Sequence, residues 1–531
     1  MVQRSSQRLG SINSFGFFLV FLGLLTASYW DLIIHIGTNL VSWSDPPYLI
    51  WVMFQNIGHI KSGNVTEFFE TNAFYPNKLS LFFSDLLIPQ SLTALPLTFF
   101  TNNPILVFNL VLLLTLILNY WSLFIFWKLI FKTHILAFLG AIFFIFGPFL
   151  VLQQNHPQML SFWPFFLALY FWFKDKRVLV GVALAVQFLA SVYLVVYLLV
   201  ALAISALLKH GKVKDFLIVV LVFLMLDGVF IGGYIGMKNM YGFVRNRAEY
   251  EMYAAHLTDY FFTTDSPTIF GKTSITKRWN SFDLHVQGEK GKFPGIVLSL
   301  LALAGLVKIA LNKKIKINFV FDKKRLFFLI IMILGLVNSL GTRVYGVPTL
   351  YVLIGRYFPF ADSIRAMARW NFLLYFGLTF FALEGLKKIK SSRVWLILVV
   401  IFLAESLPFF ASEARDYKTG YEEIKEVCQA EKKVLLEIPV THFGYSGGAI
   451  AGIDYLTRIH LSSLYHGCYL YNGYGSYQPQ NLFDLEDKIY GCLQFSDKKC
   501  FSDLMNDREI GLVKFNQEKW QEIFGQKMME F

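Results

Sequence analysis

Long apolar segments alternate with short basic clusters along most of the 531-residue chain. An apolar segment of about 20 residues is long enough to cross the hydrocarbon core of a bilayer as a helix. The pattern therefore predicts an all-α polytopic membrane protein with about eleven transmembrane helices over residues 1–410. The predicted spans are residues 15–36, 104–127, 135–151, 159–173, 178–190, 192–208, 215–236, 294–311, 326–341, 368–386 and 394–410.

The charges between these spans predict their orientation. Cytoplasmic loops of membrane proteins carry an excess of lysine and arginine, so we place the basic turns and the N-terminus inside. These basic residues are Arg4 and Arg8, then Lys128/Lys132/His134, Lys174/Lys176/Arg177, Lys209/His210/Lys212/Lys214, Lys313/Lys314/Lys316, Lys323/Lys324/Arg325 and Lys387/Lys388/Lys390/Arg393. The segments 37–103, 237–293 and 411–531 then lie outside. We expect a multi-pass protein of a plasma membrane.

Two segments test this topology. Residues 178–208 begin and end at basic clusters, so they must cross twice, with a polar break at residues 187–191. Residues 81–101 must then not cross fully. They contain Asp85, Pro89 and Pro96, which favours a re-entrant or interfacial helix.

Composition agrees with a lipid environment. The chain is 55% hydrophobic and 16% charged, and its mean hydropathy is +0.51. Soluble domains carry roughly 25% charged residues. The net charge of +12 lies in the short turns between apolar runs, so we expect the lipid bilayer and not nucleic acid as the partner.

Residues 411–531 form a polar C-terminal region with strand-like runs such as residues 433–439 (KVLLEIP), and we expect a small extracytoplasmic α/β domain. All four cysteines lie in this region. An oxidising exterior would permit disulfides, and Cys492 and Cys500 are close enough in sequence to close a small loop. The pairing stays open, as does the alternative of four free thiols. The cysteines are Cys428, Cys468, Cys492 and Cys500.

The start of the first outside segment reads SDPPYLIW (residues 44–51) and places Asp45 just beyond the first span. A carboxylate there could accept a proton from a nucleophile or bind a divalent cation, Mg²⁺ or Mn²⁺. The alternative is that Asp45 only caps the following helix, with Pro46 at its first position. Asp85 is the next external carboxylate, and its alternative role is that of a charge on an interfacial helix.

Two further groups stand out. His156 and Gln158 belong to QQNHPQ (residues 153–158), an outside turn that suits a polar cleft, although it could be a solvated connection.

Arg365 and Arg369 are spaced i, i+4 at the outer end of a span, against the positive-inside tendency. Guanidinium pairs bidentately with phosphate oxygens, so we expect a phosphate there. The alternatives are lipid headgroups or an acidic partner, Asp362.

Weaker candidates lie in the other outside segments. Tyrosines 469, 471, 474 and 477 suggest sugar stacking or a plain loop, and Tyr474 is our candidate for substrate binding. Asp259 in the second outside segment is another. Basic residues of that segment could also meet a phosphate, and they are Arg245, Arg247, Lys277 and Arg278.

The order of these motifs resembles a branch of the GT-C superfamily of integral-membrane glycosyltransferases. The motifs are SDPPYLIW, FYPN, GPF…QNHPQMLSFWP, RAMARW and LEIPV…YNGYGSYQP. The resemblance implies a polyprenyl-phosphate sugar donor and a large first external loop whose acidic residue, matched by Asp45, activates the acceptor hydroxyl or helps to hold a metal. The single Asp departs from an Asp-x-Asp pair, which leaves metal dependence open.

The leading hypothesis is therefore inverting sugar transfer on the outer face, with Asp45 as base and Arg365 or Arg369 holding the departing phosphate. The acceptor and the sugar are not indicated. One alternative is a transporter or flippase of a lipid-linked sugar, which usually carries charge in mid-membrane. Against it, Asp31, His35, Asp227 and Glu405 are placed near span ends. The other is a non-catalytic GT-C-like membrane protein.

Overall fold

The computed structural model describes residues 14–64, 67–208, 213–245, 247–261, 267–280, 292–311, 322–357, 364–387, 389, 391–440 and 449–524. The fold is mostly helical, at 70%. Of the residues named above, Arg4, Arg8, Lys209, His210, Lys212, Lys313, Lys314, Lys316, Asp362, Lys388 and Lys390 lie outside the described residues.

The helices of the described residues follow one another in chain order. They are α1 (Ser14–Ser28), α2 (Trp30–Ile34), α3 (Pro46–Ser62), α4 (Ile88–Ala94), α5 (Pro104–Phe131), α6 (His134–Ile145), α7 (Pro148–Val151), α8 (Trp163–Phe173), α9 (Arg177–Ala190), α10 (Val192–Leu207), α11 (Val213–Tyr241), α12 (Arg247–Met252), α13 (Ser274–Asn280), α14 (Ile296–Leu311), α15 (Lys323–Ser339), α16 (Leu350–Tyr357), α17 (Asn371–Leu386), α18 (Ser392–Ser406), α19 (Glu422–Ala430), α20 (Ala449–His466), α21 (Gln480–Gln494), α22 (Lys498–Asp507) and α23 (Gln517–Phe524).

The prediction of about eleven transmembrane helices is wrong. Among the described residues, only α5 and α11 are long and apolar enough to cross a membrane. A third span arises only if α6 is counted together with residues 148–155, from which it is bent by 46°. A helix rises 1.5 Å per residue, so the 15 residues of α1 cover roughly 22 Å of a core about 30 Å thick.

The reason for the error is that apolar composition does not distinguish burial in protein from contact with lipid. Almost every side chain of α17 is buried by neighbouring helices. By contrast, only 22% of the apolar window of α11 is buried, and Leu221, Met225 and Val229 on it are exposed. Most predicted spans are therefore shorter helices packed against other helices or joined through turns.

Residues 178–208 and 81–101, the two segments that test the topology, have the local structure that the sequence indicates. Helices α9 and α10 meet at Ser191, whose backbone is extended, so the polar break is confirmed. At 14 and 16 residues, both helices are too short to count as full crossings. Residues 81–101 hold α4 between two 3-10 turns, Ser80–Phe83 and Leu95–Phe99, and form no continuous spanning helix.

Helix α17 is held by close backbone packing. Helices α14 and α15 both pack along it. A Cβ atom added to Gly305 of α14 would collide with the Phe381 carbonyl of α17, and one added to Gly335 of α15 would collide with the Leu374 amide. Because these glycines let the helices approach closely, the N-terminal end of α17 has a fixed position. That end is preceded by the 3-10 turn Met367–Trp370.

The C-terminal region contains a parallel sheet. Two strands earlier in the chain, β1 (Arg343–Val344) and β2 (Val347–Pro348), form a separate hairpin. The C-terminal sheet consists of β3 (Val434–Ile438), β4 (Tyr469–Leu470) and β5 (Leu512–Phe515), in the order β4-β3-β5. All five residues of the central strand β3 are buried. The predicted strand at residues 433–439 is thus confirmed, with helices on either side of it in the chain.

This region is bound to residues 72–75 by backbone hydrogen bonds. The Tyr75 amide donates to the Leu470 carbonyl at 2.9 Å, and the Leu470 amide donates to the Asn72 carbonyl at 2.6 Å. Helix α20 packs on α3. The segment that follows β4 is therefore placed directly over the start of α3.

Both cysteine pairs are bonded. One disulfide joins Cys428 of α19 to Cys468, next to β4, across a sequence separation of 40 residues. The other joins Cys492 to Cys500, which closes the small loop considered above. The alternative of four free thiols is therefore wrong.

We expect no thiol of the purified, non-reduced protein to react with maleimide in denaturant, because all four sulfurs are bonded. Cys428→Ser should release one reactive thiol at Cys468 and lower the free energy of unfolding by about 2–4 kcal/mol. Mass spectrometry counts the maleimide labels, and Cys492→Ser is the matched control for the short loop. Labelling of all four cysteines before reduction would contradict the pairing.

Candidate functional site

Asp45 lies at the N-terminal end of α3 but does not cap it. Its backbone is already helical, at φ −73° and ψ −30°, and its side chain makes no capping hydrogen bond. Pro46 needs no amide partner at the first helical position. The carboxylate turns instead to two distant side chains: Oδ2 lies 2.7 Å from Nδ1 of His156, and Oδ1 lies 3.0 Å from the Tyr474 hydroxyl. The capping alternative is therefore wrong.

His156 lies between two 3-10 turns, Leu152–Asn155 and Pro157–Leu160. Its amide donates to the Gln153 carbonyl at 2.9 Å, which fixes the backbone of the turn. A carboxylate oxygen accepts, so the contact with Asp45 assigns the proton to Nδ1 and makes Nε2 the basic nitrogen. The imidazole is 24% exposed and the Asp45 side chain 13%, so the pair lies at the edge of the interior.

Tyr474 reaches Asp45 because its loop is closely packed. A Cβ atom on Gly473 would collide with the ring of Phe74, so only glycine permits this approach. The Tyr474 amide donates to Nε2 of His460 at 2.7 Å, and the Tyr474 ring packs edge-on against Tyr48 at 5.3 Å. The hydroxyl donates to the carboxylate from a buried position.

Arg369 is the buried cation of the site, at 7% exposure. Its guanidinium lies 4.9 Å from the ring centre of Tyr193, and its charge acts on both Asp45 and Asp85. Arg365 precedes the 3-10 turn and is not helical, so the prediction that the two arginines share one helix face is wrong. It nevertheless points into the same region, because its charge acts on Tyr474 and its guanidinium lies 5.4 Å from the ring of Tyr253.

Asp85 is held at the break between α9 and α10. The Val192 amide donates to its Oδ1 at 2.9 Å, and the side chain is buried. Burial raises the pKa of Asp85 to about 6, although the Val192 hydrogen bond and the charge of Arg369 act in the opposite direction. Asp85 is therefore a buried carboxyl group under the influence of the Arg369 charge, and not an exposed charge on an interfacial helix.

The pKa of Asp45 is shifted in the opposite direction to that of Asp85. Burial on its own raises the pKa of Asp45, but the charge and hydrogen bond of His156, together with the charge of Arg369, outweigh it. The net pKa lies below the ordinary value of 3.8, so Asp45 is ionised at neutral pH. The site thus holds one ionised carboxylate and one that titrates near pH 6, with a shared arginine.

The remaining predicted residues are more scattered. Asp259 closes its own 3-10 turn, where its carboxylate accepts from the His256 amide at 2.8 Å. Gln158 is buried beside the site and lines a pocket with Gln90 and Ser161. The other three tyrosines have separate neighbours: Tyr469 lies against Tyr75, Tyr471 accepts a hydrogen bond from Arg508, and Tyr477 stacks on Phe243.

Two aromatic residues of the site are absent from the sequence-based candidates. Tyr193 lies within the apolar run 192–208, where its neighbours hide it, and its position just after the break at Ser191 is the available signal. His460 is buried and supports the loop of Tyr474.

Of the weaker basic candidates, Lys277 and Arg278 are exposed on α13, whereas the Arg245 side chain is only 6% exposed.

A divalent cation does not fit the donors around Asp45. Among the described residues, no group of three or more His, Cys, Asp or Glu could hold a metal ion. Each oxygen of Asp45 already accepts one hydrogen bond, so a cation would compete there with the donors of His156 and Tyr474.

Residues 45–404 match the family model described as a domain of unknown function, DUF6311. The chain belongs to this family. No curated protein matches the chain. The matched region of DUF6311 begins at Asp45 itself and includes His156, Asp85 and Arg369, but it ends before Tyr474.

We expect Asp85→Asn to stabilise the protein at pH 7.5 and not at pH 4. The folded pKa of about 6 lies above the ordinary 3.8, so ionisation of Asp85 opposes folding progressively from about pH 4 to pH 6 and fully above that. A shift of about two units corresponds to up to about 3 kcal/mol. Asparagine keeps the acceptor for the Val192 amide.

The measurement is the free energy of unfolding in detergent at the two pH values. Asp45→Asn is the matched control and should destabilise at pH 7.5, because the pKa of Asp45 is lowered and its ionised form is the stabilising one. An equal effect of Asp85→Asn at both pH values would contradict the buried, titrating carboxyl.

Proposed function

We propose that this chain is an inverting membrane glycosyltransferase. It would move a sugar from a polyprenyl-phosphate carrier to an acceptor hydroxyl at the outer face of a plasma membrane. Helices α5 and α11 would be held in the bilayer. The resemblance of the motif order to the GT-C superfamily supports the donor class.

The observation that carries the proposal is the hydrogen bond between Asp45 and His156. An ionised carboxylate that holds Nδ1–H of an imidazole orients the ring and stabilises its protonated form. Both oxygens of Asp45 are engaged, so Nε2 of His156 would take the proton from the acceptor hydroxyl. Asp45, which the sequence analysis assigns as the base itself, then acts through His156.

The bond changes follow from this arrangement. The acceptor oxygen, as its proton passes to His156, attacks the anomeric carbon and forms the new C–O bond. The bond from that carbon to the phosphate oxygen breaks, and the electron pair leaves with the phosphate. Arg369 and Arg365 would hold the departing phosphate, because guanidinium groups in a desolvated site stabilise developing negative charge.

We expect Asp45→Asn to lower the rate of sugar transfer at least about 100-fold, because His156 loses the charge that supports its protonated form. The measurement is transfer from a panel of polyprenyl-phosphate hexoses in reconstituted proteoliposomes. Asp175→Asn, at an 82% exposed side chain beside α9, is the control and should keep full activity. Unchanged transfer by Asp45→Asn at equal protein level would remove the proposal.

A second candidate function, transport of a lipid-linked sugar, is favoured by one observation. Asp227 lies at the midpoint of α11 and not near its end, and it is buried at 1% exposure. Ionisable groups in the middle of a membrane span often mark transport pathways. Directional lipid movement in sealed vesicles without any transfer product would favour this function over the first.

The orientation is tested with reporter fusions. Alkaline phosphatase fused to the C-terminal region should be active, since the enzyme folds only outside the cytoplasm. Green fluorescent protein at the same position should be dark. An inactive phosphatase there would contradict the placement of the site on the outer face, because Tyr474 of this region contacts Asp45.

A further inference from the structure

Helix α4 and the 3-10 turn that follows it have an outer face on which every exposed residue is apolar. This face consists of Leu92, Pro96, Phe99 and Phe100. Phe99 and Phe100 are 74% and 88% exposed, and Leu92 is 52% exposed. Single exposed apolar residues are ordinary, but several on one face mark a surface that contacts another molecule or another phase.

The hydroxyl side chains of the same segment face the protein. Ser91 is fully buried, and its Oγ accepts from Nδ2 of the buried Asn56 at 2.9 Å and donates to the Leu87 carbonyl at 2.7 Å. Thr98, at 8% exposure, donates to the Leu95 carbonyl. A helix on a surface that faces water has the reverse arrangement, with its polar residues outside. The outer side of this segment therefore suits an apolar environment.

The charges near this face have the pattern of a membrane interface. Residues 86–127 contain no Asp, Glu, Lys, Arg or His. The exposed Lys61, at the end of α3, lies with its ammonium 5.2 Å from the centre of the Phe99 ring. At a membrane surface a lysine can extend its ammonium to the lipid phosphates while neighbouring aromatic rings contact the acyl chains.

The face also lies next to a helix that can cross a membrane. Helix α5 begins at Pro104, only four residues after Phe100, and is one of two described helices that are long and apolar enough. The intervening Asn103 caps α5 and donates to the Gly37 carbonyl at 2.7 Å, which fixes this short connection. With α5 in a bilayer, Phe100 lies at the surface of that bilayer. This continuity favours lipid over a protein partner as the occupant of the face.

We propose that Leu92, Pro96, Phe99 and Phe100 form a membrane-contact surface that inserts among the acyl chains at the N-terminal end of α5. Lys61 then lies at the level of the lipid phosphates. This inference goes beyond the proposed function and does not depend on sugar transfer, because it requires only that α5 lies in a bilayer.

Helix α4 would then stand between the lipid and the candidate site. Gln90, on the same helix, lines the pocket that Leu49 and Gln158 also line. Leu49 follows Asp45 by one helical turn of α3, and Gln158 follows His156 by two residues. A helix with its side chains is about 10–12 Å across, so lipid on the outer face lies roughly that far from the pocket.

The test uses the full chain with a single spin label. All four native cysteines are bonded, so a cysteine introduced at the face is the one free thiol for a nitroxide reagent. Phe100→Cys and Leu92→Cys are each labelled and reconstituted into vesicles of phosphatidylcholine and phosphatidylglycerol. Power-saturation electron paramagnetic resonance then compares collisions with oxygen, which concentrates in the acyl region, and with a nickel chelate, which stays in water.

Both labels should collide with oxygen at least about 3-fold more often than with the nickel chelate, because the two side chains lie among acyl chains. Thr419→Cys, at an exposed position beside Lys418 in the polar C-terminal region, is the matched control and should show the reverse preference. Leu92→Cys decides the matter if the Phe100 variant does not fold.

Two results would overturn the inference. Labels at Leu92 and Phe100 that meet the nickel chelate as readily as the label at Thr419 lie in water. Labels shielded from both reagents lie under protein, which in a purified sample is a second copy of the chain. The proposed function fails in a different assay: lipid contact at this face without any sugar transfer would keep the surface and remove the transferase.

Discussion

The structure around the site depends on one ion at the edge of the interior, the largely desolvated carboxylate of Asp45. An isolated carboxylate removed from water costs several kcal/mol, so it is stable only with partners of opposite charge or with hydrogen-bond donors. His156, Tyr474 and Arg369 supply these partners, and they come from three distant parts of the chain. The start of α3, the turn between α7 and α8, the 3-10 turn before α17 and the C-terminal loop must therefore meet at one point.

The two carboxylates near Arg369 show how environment separates groups of equal chemistry. Asp45 has charged and hydroxyl partners, whereas Asp85 has one amide and the more distant influence of the same arginine. Opposite shifts in neighbouring carboxyls are typical of sites that need an ionised group and a titrating group at the same pH. The charge of Arg369 acts on both carboxyl groups. A bound anion that paired with its guanidinium would weaken this effect, and the protonated form of Asp85 would then be favoured.

The sequence predicts the polar members of the site better than the helices that carry them. A carboxylate, an imidazole and an arginine at the ends of apolar runs need partners, and this requirement selects Asp45, His156 and the pair of Arg365 and Arg369. Hydropathy cannot separate a helix buried by protein, such as α17, from one with an exposed apolar surface, such as α11, so the number of spans was not predictable. The i, i+4 argument for Arg365 failed because it presupposed a helix where the chain forms a 3-10 turn.

The C-terminal region belongs to the site, although the family match ends at residue 404. It supplies the hydroxyl on Asp45, and its loop is held from the other side by Arg245 through the Ser476 carbonyl. Backbone hydrogen bonds around β4 tie the same region to residues 72–75, and the Cys428–Cys468 disulfide fixes α19 beside that strand. The site is therefore assembled from both parts of the chain, because the Asp45 carboxylate needs the Tyr474 hydroxyl of the C-terminal loop as well as the imidazole of His156.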